Sequence, residues 1–298
     1  MVTPFAGNSP TMSIGMPTYN HSNLITRAIE SLLNQSFHDF ELIISDNASS
    51  DDTQIICQAY ASRDPRIRYI RKPINIGAAA NFEFVLKSAR GIFFMWAASD
   101  DWWDQKFLET LHCGFKNHPE CAAMFCTCAL MTPDIESLVR EINYNYGGNA
   151  VKRLFKFCYY YEDICFYGLY RLSIIQDERF ATWWGINRKT TIDAVYPFIA
   201  YVLASGNWIT LQTRPLYFKH FSFVSNHHIS FSNKLSKNAA YVIRKFNVFY
   251  ESIRAVHRGS KSLLLVLVTM PAFLGRFMYD GTSPIRYLLR QLYTSRHK

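Results

Sequence analysis

Two adjacent acids, Asp100 and Asp101, follow an apolar run from Ile92 to Trp96 in the stretch "GIFFMWAASDDWWD", residues 91–104. Carboxylates at the end of a buried strand are costly unless cations or a metal neutralise them. Mg²⁺ or Mn²⁺ carrying a diphosphate meets that need: the hard cation takes carboxylate oxygens and the phosphates fill its remaining positions. A solvated loop whose acids cap the next helix, "WDQKFLETL", meets it too, and these residues alone leave both open. A third carboxylate, Asp46, follows the buried-type run "ELIIS" in the same way.

The elements that position these acids alternate along residues 13–130. "SIGMP" reads as a short strand. "SNLITRAIESLLNQS" reads as a helix, with Leu24, Ile25, Ala28, Ile29, Leu32 and Leu33 at helical spacing and Ser22 or Asn23 as N-cap. Strand "FELIIS", helix "SSDDTQIICQAYASR", strand "IRYIRK", helix "AAANFEFVLKSAR" and strand "GIFFMWAA" follow in turn. Strict alternation implies right-handed crossovers and a mainly parallel sheet with helices on both faces. Such sheets bind ligands at the carboxyl ends of their strands, so Asp46, Asp100 and Asp101 fall on one rim.

Beyond about residue 144 the texture changes. "YNYGGN" is a turn, and "FKFCYYYEDICFYGLYRL" is dense in aromatics. A helix-like "DAVYPFIAYVLASG" and a strand-like "WITLQTRPLYFKHF" come next. "KSLLLVLVTMPAFLGRFMYDG" offers about a dozen continuous apolar residues, too few to span a bilayer, and is interrupted by Pro271.

Hydrophobic residues at 49% against 18% charged exclude a disordered chain. The first fourteen residues lack a signal-peptide pattern, so the seven cysteines are expected to stay thiols in a reducing cytoplasm. Cys121, Cys126 and Cys128 lack the paired spacing of a zinc site. The net charge of +9 is concentrated late: from residue 233 onward twelve Lys or Arg face two acids, Glu251 and Asp280, giving +10 there and −1 elsewhere. With a short apolar segment inside it, that tail reads either as an interfacial element on anionic lipid or as a core helix. It carries no nucleic-acid recognition motif.

The motif order resembles that of the family 2 glycosyltransferases, inverting enzymes with the GT-A fold. The resemblance runs through "SIGMPTYNHSNLITRAIESLLNQSFHDFELIISDNASSDDT", "NIGAAANF" and "FFMWAASDD", and extends over "GLYRLSII" and "DAVYPFIAYVLASGNWITLQTRPLYFKH", about residues 13–222. It implies a Rossmann-like α/β domain with a nucleotide-sugar half (1–130), an acceptor half (131–225) and a basic, helical C-terminal extension (226–298). It further implies that Pro17, Thr18, Tyr19 and Asn20 form the turn under the nucleotide base, and that Asp46 accepts a hydrogen bond from that base. Gly77 would let the backbone approach the donor, and Asn81 would bond a donor hydroxyl. Asp100 and Asp101 would hold the ribose and a Mg²⁺ or Mn²⁺ ion.

The commonest family pattern has one further Asp two positions before the pair, where this chain has Ala98. Lys219 and His220, in "YFKHF", stand where relatives stabilise the departing phosphates. Inverting transfer needs a base to take the acceptor hydroxyl proton. The family supplies it from the start of a helix in the second half, which points to Asp193, with Glu162 and Asp163 in reserve. The aromatics from Tyr159 to Tyr170, with Trp183 and Trp184, either stack on sugar faces or form core.

Together these imply transfer of a sugar from a UDP-, GDP- or dTDP-sugar onto a glycan, lipid-linked by resemblance, as in surface polysaccharide assembly. The setting would be cytoplasmic, on the inner face of the cell membrane, with no nucleic acid involved. A non-catalytic nucleotide-sugar or glycan-binding protein is the rival that Ala98 supports. A nucleotidyltransferase would show a basic, Gly-rich loop after the first strand, and "PTYNHSN" is not one.

Overall fold

The computed structural model describes residues 9–132, 138–142, 146–160, 164–176, 192–220 and 249–279. Its first half is the alternating pattern: β1 (Met12–Thr18), α1 (Ile25–Leu33), β2 (Phe40–Asp46), α2 (Thr53–Ala61), β3 (Ile67–Arg71), α3 (Ala78–Lys87) and β4 (Phe93–Trp96). β1 lies between β2 and β4 and is parallel to both, and β3 is parallel to β2. Every residue of β1, β2 and β4 is buried, which is why their sequences are nearly continuous apolar runs. α3 packs closely on β1: a Cβ at Gly15 would meet the Val85 side chain at 2.7 Å.

The sheet has seven strands in the order β10-β6-β9-β4-β1-β2-β3. Here β6 is Cys121–Cys126, β9 is Leu169–Arg171 and β10 is Asn207–Leu211. Only β9 runs antiparallel to its neighbours, β4 and β6, so the sheet is mainly parallel, as expected. A smaller sheet of order β5-β11-β7-β8 stands beside it. It comprises β5 (Trp102–Trp103), β7 (Cys128–Met131), β8 (Leu138–Ile142) and β11 (Tyr217–His220).

The aromatic-rich stretch contributes core. Phe166 stacks on Trp96 with ring centroids 4.4 Å apart, and Tyr170 is fully buried against Phe198 and Trp208. Phe198 belongs to the helix Ile192–Ser205, which is buried from Phe198 to Ala204. The cysteines are free thiols, and no cluster of three metal-ligand residues occurs among the described residues.

Residues 249–260 are helical, and a helix from Leu263 to Tyr279 packs on the helix Ala150–Tyr160, bringing Phe273 within 6.5 Å of Phe157. This last helix continues through Pro271 instead of stopping at it. Pro271 lies on the exposed side, where the carbonyl deprived of its N–H donor can bond water. No helix of the described residues is long and apolar enough to cross a membrane.

Candidate active site

The carboxyl ends of β2, β1 and β4 form one rim. Thr18 pairs with Asp46 across β1 and β2, so the turn after β1 and the loop after β2 start side by side. Asn20 clasps them together in a left-handed conformation, φ 54°. Its N–H donates to Ser49 Oγ at 2.9 Å, and its side-chain oxygen accepts from the Ser50 N–H at 2.8 Å. Beside it Tyr19 presents its ring to solvent, 45% exposed, in a position able to stack on a base.

Asp46 is fully buried at the end of β2. Its Oδ1 accepts from the Ser49 N–H at 2.9 Å and its Oδ2 from the Tyr69 hydroxyl at 2.8 Å, with Arg71 Nε 3.5 Å away. Tyr69 and Arg71 lie on β3, whose end pairs with Asp46. Burial, followed by the bond to Asp46, pushes the Tyr69 hydroxyl pKa upward, so it stays a donor.

The acidic turn after β4 is held by the smaller sheet. Trp102 and Trp103 form β5, which pairs antiparallel with Phe218 and Tyr217. Trp102 stacks on Phe218 at 5.7 Å and Trp103 on Tyr217 at 5.8 Å. The two tryptophans thus fasten the acids to the strand carrying Lys219 and His220. Asp101 turns inward, 1% exposed: its Oδ2 accepts from the Tyr217 hydroxyl and its Oδ1 from the His220 N–H at 2.9 Å. Burial pushes its pKa up to about 7, Lys219 opposes that rise and Asp100 adds to it.

Asp100 keeps its carboxylate one-third exposed, with Oδ2 3.6 Å from His220 Nδ1. His220 Nε2 is buried and has no hydrogen-bond partner among the described residues. Lys219 Nζ sits 4.4 Å over the Tyr167 ring. His21 Nδ1 and Ser99 Oγ share a 2.6 Å hydrogen bond that ties the turn after β1 to the acidic turn. Asp100 and His220 offer a divalent ion one carboxylate and one imidazole, with phosphates to fill its remaining positions, and Asp101, bonded to Tyr217 and to the His220 N–H, holds the turn behind them.

The remaining expected residues are placed as follows. Gly77 precedes α3 with φ 84°, a conformation that glycine adopts without strain. Asn81 is buried and braces α3 to β2, donating to the Ser45 carbonyl at 2.8 Å and accepting from Ser45 Oγ at 2.6 Å. Asp193 falls in the first turn of the helix Ile192–Ser205, and its side chain lies outside the described residues. Glu162, Asp163, Trp183 and Trp184 lie outside them as well. Sequence reasoning missed Tyr69, Arg71, Tyr217 and His21. The signal for Tyr217 was available, since it shares a strand face with Lys219 two residues on.

A family model for Glycosyl transferase family 2 matches residues 13–177. The chain is 40% identical over 96 residues to the putative colanic acid biosynthesis glycosyl transferase WcaA of Escherichia coli, a match covering 32% of this chain and 34% of WcaA. The aligned part therefore spans about a third of that relative's length. Among solved structures, S. aureus TarS 1–349 in complex with UDP-GlcNAc superposes with a TM-score of 0.68 at 17% identity, covering 91% of this chain and 73% of that one. The mannosyltransferase PcManGT from Pyrobaculum calidifontis, in complex with GDP-Man and Mn²⁺, gives a TM-score of 0.51 at 14% identity, covering 98% and 81%. With a matched region that takes in β1 to β9 and a mainly parallel sheet of this topology, the chain belongs to glycosyl transferase family 2 and has the GT-A fold.

Proposed function

We propose that this chain transfers a sugar from a nucleotide-sugar donor to a glycan, lipid-linked, with inversion at the anomeric carbon. The observation that carries the reading is the convergence at one rim of Tyr19, Asp46 and Asp100, from the ends of three adjacent parallel strands, with Lys219 and His220. Tyr19 and the turn from Pro17 to Asn20 form the platform for the base, and Asp46, aimed by Ser49, Tyr69 and Arg71, reads its N–H edge. Gly77 keeps the loop before α3 close to the donor. Asn81, spent on Ser45, supports that loop from behind, with its donor contact made through the loop it holds.

Asp100 and His220 would hold Mg²⁺ or Mn²⁺, which supplies charge neutralisation to the diphosphate when bound. Asp101 fixes the turn that aims Asp100. Asp193 takes the proton from the acceptor hydroxyl as its oxygen attacks the anomeric carbon. The bond from that carbon to the phosphate oxygen breaks with inversion, and Lys219 shares the charge of the leaving diphosphate. The GT-A neighbours crystallised with UDP-GlcNAc and with GDP-Man and Mn²⁺ support a nucleotide-sugar donor, and the name of WcaA supports a polysaccharide acceptor. The site of action would be the cytoplasmic face of the membrane.

Ala98, in place of the usual third acid, favours a second reading as a non-catalytic nucleotide-sugar-binding protein. Thermal shift with UDP-, GDP- and dTDP-sugars, with and without Mn²⁺, tests the donor site common to both. A donor at a hundred times its Kd stabilises by about 2.7 kcal/mol. No shift with any donor would refute both readings.

A further inference from the structure

The helix Leu263–Tyr279 is apolar on two opposite sides. Leu265, Val266, Thr269 and Phe273 form its buried side. The other side carries Leu263, Leu264, Leu267, Val268 and Leu274, each between 43% and 71% exposed. At 3.6 residues per turn these five fall within one sector of about 140°. A helix facing water would place charges there, yet its only charged residue is Arg276 near the end.

The surroundings state what that face is suited to meet. Lys261 is exposed at the start of the helix, and Arg258 is half-buried in the helical stretch 249–260 before it. Tyr250 in that stretch is 57% exposed. Exposed leucines with aromatic and basic neighbours match the layering of a membrane interface. Residues 252–279 hold Arg254, Arg258, Lys261 and Arg276 and no acid, so two copies meeting on this face would bring like charge together, whereas anionic phosphates are attracted.

We propose that the exposed Leu263–Leu274 face seats the protein on an anionic lipid surface, with the helix lying in the headgroup–acyl boundary. One side of these 17 residues is packed on the helix Ala150–Tyr160, so the helix meets the membrane with its other side and lies along it. The proposal goes beyond the donor chemistry and is carried by surface residues that take no part in the donor site.

Flotation of the full chain with vesicles of phosphatidylcholine alone, or of phosphatidylcholine with 30% phosphatidylglycerol, tests it. The chain is expected to float with the anionic vesicles and to be released as salt is raised. Leu264→Glu with Leu267→Glu should lower the bound fraction by about tenfold, and Lys261→Glu should lower it on anionic vesicles only. All three positions are exposed, so the thermal melting and donor-induced thermal shift of the variants should match the parent. Failure to float with the anionic vesicles overturns the proposal. So does a lipid-free dimer on light scattering that Leu264→Glu with Leu267→Glu converts to monomer, which would assign the face to a second copy. Loss of the donor thermal shift with flotation intact would instead strike the donor reading alone.

Discussion

The Tyr217 hydroxyl donates a hydrogen bond to Asp101 across 116 residues of chain, joining the acidic turn after β4 to the strand that carries Lys219 and His220. Removing the hydroxyl in Tyr217→Phe leaves a buried carboxylate oxygen without a donor. The expected cost is about 1–3 kcal/mol in urea unfolding, together with weaker donor binding because Asp100 loses its aim. Unchanged stability and unchanged affinity would show that the bond positions nothing.

Folding raises the Asp101 pKa from 3.8 to about 7, chiefly through burial. Between those values the folded chain keeps a proton that the unfolded chain has released. The contribution of this group is therefore greatest at acid pH and falls as pH rises through the window. In metal-free buffer, Asp101→Asn should flatten the loss of stability between about pH 4 and pH 7. A pH profile identical to the parent would contradict the assignment.

Glu41 is fully buried yet lies away from the rim, at the start of β2. Burial raises its pKa, but bonds from Arg90, Ser13 and Arg68 outweigh burial and hold it below the usual range. Its contribution is present above the unfolded value of 4.5 and is lost as pH falls through the depressed value. Glu41→Gln should cost about 2 kcal/mol, discounted because both arginines are partly solvated, and should leave donor affinity unchanged. Calorimetry with parallel donor titration measures both.

The parallel half of the fold was legible because β1, β2 and β4 are buried on both faces and its helices are amphipathic or punctuated by Ser, Asp and Gly. Asp46 and Asp100 could be placed on one rim by the strand-end rule alone. Tyr69 and Arg71 could not, since each reaches its carboxylate through strand pairing that no local pattern encodes. Asn81 illustrates the converse: a polar residue in a motif position proves to be bonded to Ser45. Pro271 reads as a stop in sequence, but it sits on the exposed side of a helix whose other side is anchored by Phe273.

Ala98 leaves Asp100 as the partly exposed carboxylate beside the buried Asp101. Restoring the acid in Ala98→Asp should lower the Mn²⁺ concentration needed for half-maximal donor turnover by about tenfold, because affinity rises with ligand charge. A metal titration of turnover checks it. An unchanged or raised requirement would place the ion elsewhere.

Nucleotide release reports whether Asp193 acts as the base. The parent should release UDP, GDP or dTDP from its donor in a metal-dependent reaction that acceptor glycan accelerates. Asp193→Asn should abolish the acceleration while keeping the donor-induced thermal shift. Equal acceptor-stimulated release from parent and Asp193→Asn would exclude Asp193 as the base.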